Sequence, residues 1–266
     1  MNLLITGTAS GIGKAAAEYF INQGHFVFGI DIAPSEERNN FHGFTADITD
    51  ENSLAAISKY FCENGIVLDA ILNIAGKHIM ASLVENDYQM MKRVVVINLL
   101  GTVLVNRTFH RFLSSSGRIV IVTSEVAAFD PMPFNGLYNV TKTALDSYAQ
   151  ALRQELNLIG QTVVTVRPGA VETPLCASSV SATKNLAETT VLYKKQAKNF
   201  SGLAAKFMGK PMPPDALAAL IYKAATAKRP KLIYHKHRSI GLVLLAVLPK
   251  RLQCAVIKLL LSLNLF

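Results

Sequence analysis

The sequence predicts a doubly wound α/β domain, a parallel β-sheet with helices on both faces, followed by a C-terminal helical extension. Three observations carry this expectation. Short apolar runs rich in β-branched residues alternate with helical stripes along the chain. The strand-like runs are continuously apolar rather than alternating, as strands covered on both faces are. A glycine-rich turn, "TGTASGIG" (6–13), joins the first strand to the first helix, and in such folds the ligand crevice lies beyond the carboxyl ends of the strands.

Taken in order, "NLLIT" (2–6) is the first strand and 11–23 the first helix. "FVFGID" (26–31) and "DAILNIA" (69–75) are further strands, separated by a helix near 50–63. A long helix is expected over 87–113, then a strand at "RIVIVTS" (118–124). Over 137–159 the residues Ala144, Leu145, Tyr148, Leu152 and Leu156 recur at three- and four-residue spacing, the stripe of a helix laid against a core or a second subunit. "TVVTVRP" (162–168), a helix at 213–227 and "KLIYH" (231–235) complete the alternation. The segment 171–212 breaks the rhythm. It is long, rich in Ser, Thr and Lys, and ends in "KPMPP", so it is expected to be an irregular substrate loop or lid.

These elements divide the 266 residues into a domain at 1–238 and an apolar, basic extension at 239–266. Half the residues are hydrophobic, which excludes a disordered or fibrous chain. The three cysteines, Cys62, Cys176 and Cys254, are scattered without a CxxC, which argues against a disulfide framework or a zinc site and suits a reducing cytoplasm. "MNLLITG" has no basic n-region, so no secretory signal is expected. "YHKHR" (234–238) offers two histidines and no third ligand, so no metal is expected. The net charge of +9 belongs entirely to the end of the chain: after Asp215 there are nine Lys and Arg and no acidic residue. The extension consists of two apolar runs divided by Pro249–Lys250–Arg251, each too short for a bilayer span of about 20 residues. It is expected to close the pocket or a subunit interface, with peripheral membrane contact as the alternative that its charge favours.

The chemistry gathers at the strand ends. In the first turn Gly7 allows the bend, Gly11 lets backbone approach a pyrophosphate, Gly13 permits close helix packing, and the helix N-terminus supplies N–H groups. Asp31 ends the second strand about 20 residues further on, where a carboxylate accepts both hydroxyls of an adenosine ribose and repels a 2′-phosphate. No Arg or Lys follows at 32 or 33 and Ser10 brings no cation, so NAD is expected over NADP. Tyr138 and Lys142 stand at i and i+4, placing a phenol and an ammonium on one helix face.

These stretches resemble the short-chain dehydrogenase/reductase family, classical type, with its Rossmann-type sheet, over residues 1–235. "TGTASGIG", "ADITD" (46–50), "NIAG" (73–76), "IN" (97–98), "VTS" (122–124), "YNVTK" (138–142) and "RPGAVETP" (167–174) occur in the family's order. The resemblance implies that Tyr138 exchanges a proton with a substrate oxygen while hydride moves to or from a nicotinamide. Lys142 lowers the phenol's pKa and holds the nicotinamide ribose, Ser124 binds the substrate oxygen, and Asn98 holds a water in a proton relay. It also implies cofactor contacts from Ser10 and Ile12 in the turn, Asp47 and Ile48 by the adenine, and Asn73, Ala75 and Gly76 along the crevice floor. Pro168, Gly169, Val171 and Thr173 are expected beside the nicotinamide. Two departures stand out: Ser124 lies one residue further from the tyrosine than is usual, and Ile74 replaces the second residue of an asparagine doublet. Met132, Pro133, Phe134 and Leu137 place apolar groups before the tyrosine. The expected function is NAD-dependent interconversion of a secondary alcohol and a ketone on a lipophilic substrate such as a hydroxysteroid or retinoid, by a homo-oligomer, a dimer or tetramer, that binds no nucleic acid. The alternatives are an NADPH-dependent carbonyl or 3-oxoacyl reductase and a non-catalytic nucleotide-sensing module.

Overall fold

The computed structural model describes residues 1–263; the last positions of the expected extension, 264–266, lie outside the described residues. Seven strands form one parallel sheet in the order β3-β2-β1-β4-β5-β6-β7. They are β1 (Asn2–Thr6), β2 (Phe26–Asp31), β3 (Phe41–Thr45), β4 (Leu68–Asn73), β5 (Leu113–Val122), β6 (Thr162–Pro168) and β7 (Ile233–Lys236). The central strands are apolar along their length because both faces are covered: Leu3, Leu4 and Ile5 are each fully buried. On one face α1 (Gly11–Asn22) and α8 (Pro214–Thr226) pack Ala16, Ala17 and Phe20 with Leu217, Ile221 and Ala224. On the other, α2 (Glu51–Glu63), α4 (Thr102–Phe109) and α5 (Gly136–Asn157) supply Phe61, Phe109, Leu145, Ala149 and Leu156. Each fully buried leucine, isoleucine or phenylalanine among them contributes on the order of 1.5–3 kcal/mol.

The order reverses between β1 and β4, and beyond their carboxyl ends lies the crevice that doubly wound sheets offer to ligands. A third apolar cluster stands apart from the sheet. It joins Phe134 to Leu186 of α6 (Pro174–Thr189), Ala197, Phe200 and Leu203 of α7 (Lys194–Met208) and Leu261 of α10 (Lys250–Ser262). The short α9 (Ile240–Ala246) packs beside α7.

The structure corrects the element reading in three places, the segment 171–212, the helix expected over 87–113 and an unexpected edge strand. The segment 171–212 is not irregular. Thr173 caps α6 by accepting a hydrogen bond from the Cys176 N–H, Pro174 opens that helix at its first position, and Ala197, Phe200 and Leu203 give α7 a helical stripe. The helix expected over 87–113 runs as α3 (Tyr88–Val95), a π-helical segment (Val96–Gly101) and α4, and β5 already begins at Leu113. By length and composition Tyr88–Phe112 could cross a membrane, yet it packs on α2, α5 and β4 with Val94, Val105 and Phe109 fully buried. The edge strand β3 is additional. The stripe Leu145–Leu156 serves this chain's own core, since Leu145, Ala149 and Leu156 are buried against the sheet.

Candidate active site

At the carboxyl end of the sheet lies a cavity of about 610 Å³. Its nucleotide side is built from backbone. Gly7 adopts φ +80°, and a Cβ on Gly13 would fall 1.9 Å from the Gly7 carbonyl oxygen, so only glycine lets α1 start this close to the turn. The Thr6 hydroxyl accepts from the N–H groups of Ile74 (3.0 Å) and Ala75 (3.1 Å), tying the turn to the end of β4. Asp31 accepts from the Ala9 N–H (2.9 Å) through one oxygen and from the Ala33 N–H (3.0 Å) through the other. The N-cap residue of α1, Ser10, makes no side-chain cap, and the first turn carries no acidic residue, so the positive end of that helix dipole meets the cavity uncompensated. Glycine cradle, uncapped helix start and strand-end carboxylate together suit a nicotinamide dinucleotide: anionic pyrophosphate at the N–H groups, ribose hydroxyls at Asp31.

On the far side of the same cavity are Ser124, Tyr138 and Lys142. Ser124 follows β5 and caps a short 3-10 turn (Glu125–Ala128). The chain then returns to α5 through Phe134, held at φ +63°, a conformation uncommon outside glycine. Phe134 is nonetheless buried, with its ring edge-on to Tyr193 and Phe200. Despite the extra residue between them, Ser124 and Tyr138 both line this cavity, and Ser124 lies close enough to pull the phenol's pKa down. Lys142 is buried, donates to the Val122 carbonyl (3.2 Å), and places its Nζ 5.8 Å from the centre of the Tyr138 ring.

Burial governs the ionisation of this pair. It pushes the Tyr138 phenol up to about 12, against a smaller downward pull from Ser124. It brings the Lys142 ammonium down to about 8. Desolvation disfavours whichever form is charged, so the phenol keeps its proton and the ammonium loses its own more readily.

Of the residues singled out in the sequence, Gly7, Ser10, Gly11, Ile12, Gly13, Asp31, Asp47, Ile48, Ala75, Gly76, Ser124, Tyr138, Lys142, Pro168, Gly169, Val171 and Thr173 all line the cavity. Asn73 and Asn98 do not. Asn73 is buried beneath the floor and donates to Asn106 Oδ1 (2.8 Å), because its side chain leaves the strand toward α4. Asn98 is fully buried in the π-helical segment. Its Oδ1 accepts from the Lys77 N–H (2.7 Å), and its Nδ2 donates to the Lys77 carbonyl (2.8 Å) and to the Thr141 hydroxyl (3.0 Å). The amide thus fastens the loop after β4 to α5, in a register that a π-helical turn provides.

Sequence reasoning missed several residues that shape the substrate side. Met80, Phe200, Phe207, Met208 and Leu242 join the expected Met132 in giving that wall its apolar character. Glu125, next to Ser124, accepts from the backbone N–H of Ser239 (2.6 Å), the N-cap residue of α9, and burial pushes its carboxyl pKa up. Glu85 accepts from the N–H groups of Val191 (2.8 Å) and Leu192 (2.9 Å) and from the Thr190 hydroxyl (2.5 Å), holding the connection between α6 and α7. Asn199 donates to the carbonyls of Leu261 (2.9 Å) and Leu263 (3.0 Å), pinning the end of α10, and Lys250 pairs with Asp130. Nothing local marks these residues; their partners lie tens to more than a hundred positions away.

Comparison with known proteins agrees with the geometry. A family model described as short chain dehydrogenase matches residues 1–184. The 3-ketodihydrosphingosine reductase of Bacteroides thetaiotaomicron is 27% identical over 200 residues, covering 74% of this chain and 72% of the relative. The NADPH-dependent 3-dehydrocapnine reductase of Ornithobacterium rhinotracheale is 26% identical over 248 residues, covering 87% and 86%. Among solved structures, the 3-ketoacyl-(acyl-carrier-protein) reductase of Brucella melitensis, complexed with NADH, superposes with a TM-score of 0.72 at 23% identity, covering 90% of this chain and 98% of that one.

Proposed function

This chain belongs to the short-chain dehydrogenase family, and we propose that within it the protein is an NAD-dependent oxidoreductase that interconverts a lipophilic ketone and its secondary alcohol, with Tyr138 as the acid–base group. That it is an oxidoreductase of this family follows from membership. The finer reading is carried by one observation: a serine, a phenol and a buried lysine face the same cavity as a glycine turn and a strand-end carboxylate. When bound, the nicotinamide supplies or accepts the hydride. Ser124 holds the substrate oxygen, and Tyr138 passes its proton to that oxygen in reduction and recovers one in oxidation. A phenol that keeps its proton well above neutrality suits the reductive direction, where it acts as an acid. Lys142 orients the cofactor side of the site, and Asn98 acts through the Lys77 backbone and Thr141.

The apolar wall supports a lipophilic substrate, a hydroxysteroid, a retinoid or a long-chain keto-lipid of the sort named for the two reductases above. Asp31 supports NAD over NADP. The NADPH dependence of the 3-dehydrocapnine reductase favours a second reading, an NADPH-dependent ketoreductase. Peripheral contact with an anionic membrane has support from Ile240, Leu244 and Val247, which are exposed at helical spacing beside the cations of the extension. Subunit pairing through the outer face of the 88–112 helix has support from exposed Leu100 and from Val140 on α5.

Rates with NADH and NADPH on a panel of steroid, retinoid and 3-keto-lipid carbonyls decide between the two cofactor readings. In the same assay Tyr138→Phe is expected to retain NADH binding and lose turnover by about 100- to 10,000-fold. Undiminished turnover by that variant would refute the acid–base assignment.

A further inference from the structure

We propose that His78 is a positioning residue that joins α6 to the Tyr138 phenol, so that the substrate-side helix and the reacting ring are set as one unit. The inference rests on the acid–base reading of Tyr138 and adds a residue that no motif marks. His78 lies in the loop after β4, with its imidazole edge-on to the Tyr138 ring: the centroids are 4.3 Å apart and the planes meet at 64°. Its Nε2 is 2.9 Å from Asn135 Oδ1 and its Nδ1 is 2.6 Å from Ser179 Oγ. Asn135 is the N-cap residue of α5, the helix that carries Tyr138, while Ser179 is a buried residue of α6. One ring therefore spans the start of the helix bearing the phenol and a helix of the substrate wall.

The proton inventory makes this a two-position device. A neutral imidazole has one donor and one acceptor nitrogen. Burial is the main cause holding His78 neutral, bringing its pKa down to about 4; the Asn135 bond opposes this and the Lys142 charge assists it. With Nε2–H donating to Asn135, Nδ1 must accept the Ser179 hydroxyl proton. That hydroxyl has a second acceptor within reach, the Leu175 carbonyl of its own helix at 2.8 Å. It has one proton for two acceptors. Docked against His78, α6 gives the proton to the imidazole; displaced from it, the hydroxyl turns back to Leu175, as serines in helices do. The second torsion of a tyrosine is broad, so an edge-on neighbour at this distance fixes the ring plane, and with it the plane in which the phenol O–H bond lies.

Four variants of the full-length protein test the coupling, with NADH binding read by nicotinamide fluorescence, NADH-dependent reduction of phenanthrenequinone as the probe reaction, and hydrogen exchange followed across residues 174–189. Ser179→Ala removes only the α6 bond. It is expected to raise KM for the quinone about fivefold, the worth of one buried hydrogen bond, with kcat little changed and exchange in α6 faster. Ser179→Thr keeps the hydroxyl and should restore both. His78→Ala should lower kcat about tenfold as well as raising KM, while His78→Phe should recover kcat, because a ring again abuts the phenol, and leave KM high. The coupling is overturned if Ser179→Ala leaves KM and α6 exchange at wild-type values, or if His78→Phe loses as much kcat as His78→Ala. A wild-type protein that binds NADH but leaves the quinone untouched would count against the acid–base reading alone, and the exchange measurement would still decide the coupling.

Discussion

The two sides of the cavity are made by different means. The nucleotide side, from the turn at 6–13 to the end of β4, is backbone: glycines at tight approaches, amide groups at the start of α1, and carboxylate and hydroxyl oxygens that hold main-chain N–H groups. The substrate side is side chains on α6, α7 and α9, backed by α10 and held by a few long-range polar latches. A site made of backbone needs fixed residues at fixed spacing in one short stretch. A site made of side chains needs only apolar character and partners anywhere in the chain. The first is therefore generic to a cofactor, and the second is free to differ from one substrate to the next.

The largest effect that would sharpen this contrast is at Gly13. Gly13→Ala sets a methyl 1.9 Å from the Gly7 oxygen, so NADH binding should be lost in fluorescence titration and stability should fall on the order of 1–3 kcal/mol. The helices of the substrate side should keep their exchange protection. A variant that binds NADH normally would show that the close approach is dispensable.

Next comes Lys142, where the two sides meet. The unfolded chain holds this proton to its ordinary 10.5 and the folded chain only to about 8. Between those values the unfolded state binds more protons, so folding stability contributed by this group rises with pH. Urea unfolding in steps upward from pH 8 should show Lys142→Met lacking a rise of about 2–3 kcal/mol. If wild type and variant ran parallel, the ammonium would not be desolvated as the structure places it.

A smaller effect is expected at Glu125, whose loss frees the Ser239 N–H and the start of α9. Glu125→Ala should cost about 1–2 kcal/mol and admit protease to 239–263 before the sheet unfolds, with NADH binding little changed. Equal damage to both functions would break the separation between the two sides. The smallest effect is at the surface. The membrane contact proposed above predicts that Leu244→Ser with Val247→Ser lowers sedimentation with phosphatidylserine vesicles about tenfold; no sedimentation of the wild-type protein with those vesicles would overturn that contact.

The same contrast explains what the sequence discloses. The parallel sheet and its glycine turn are legible because buried strands must be apolar and a tight turn must be glycine; Gly7, Gly11, Gly13 and Asp31 sit within one unit of chain. Tyr138 and Lys142 are legible as an i, i+4 pair. The sign of their ionisation is not, since the phenol's pKa depends on how deeply other elements bury it, and those elements are distant in sequence. The helix α7 hides behind Lys194, Lys195 and Lys198 on its outward face, and its inward residues, Ala197, Phe200 and Leu203, form a stripe too short to outweigh the polar background; α6 turns Ser179 and Thr183 inward beside Leu186 and leaves Leu175 and Val180 exposed, so no apolar stripe marks it. Glu85, Glu125, His78 and Asn199 bond to partners that only the fold brings near.

The π-helical segment at Val96–Gly101 also constrains how this helix can change in length. Each residue added to or removed from a helix swings everything beyond it by about 100° around the axis. Deleting a single position there, to give an unbroken α-helix, would turn Asn98 away from Lys77 while Val105 and Phe109 kept their seats beneath the sheet, or hold Asn98 and rotate those two into water. This stretch can exchange residues but cannot shed one.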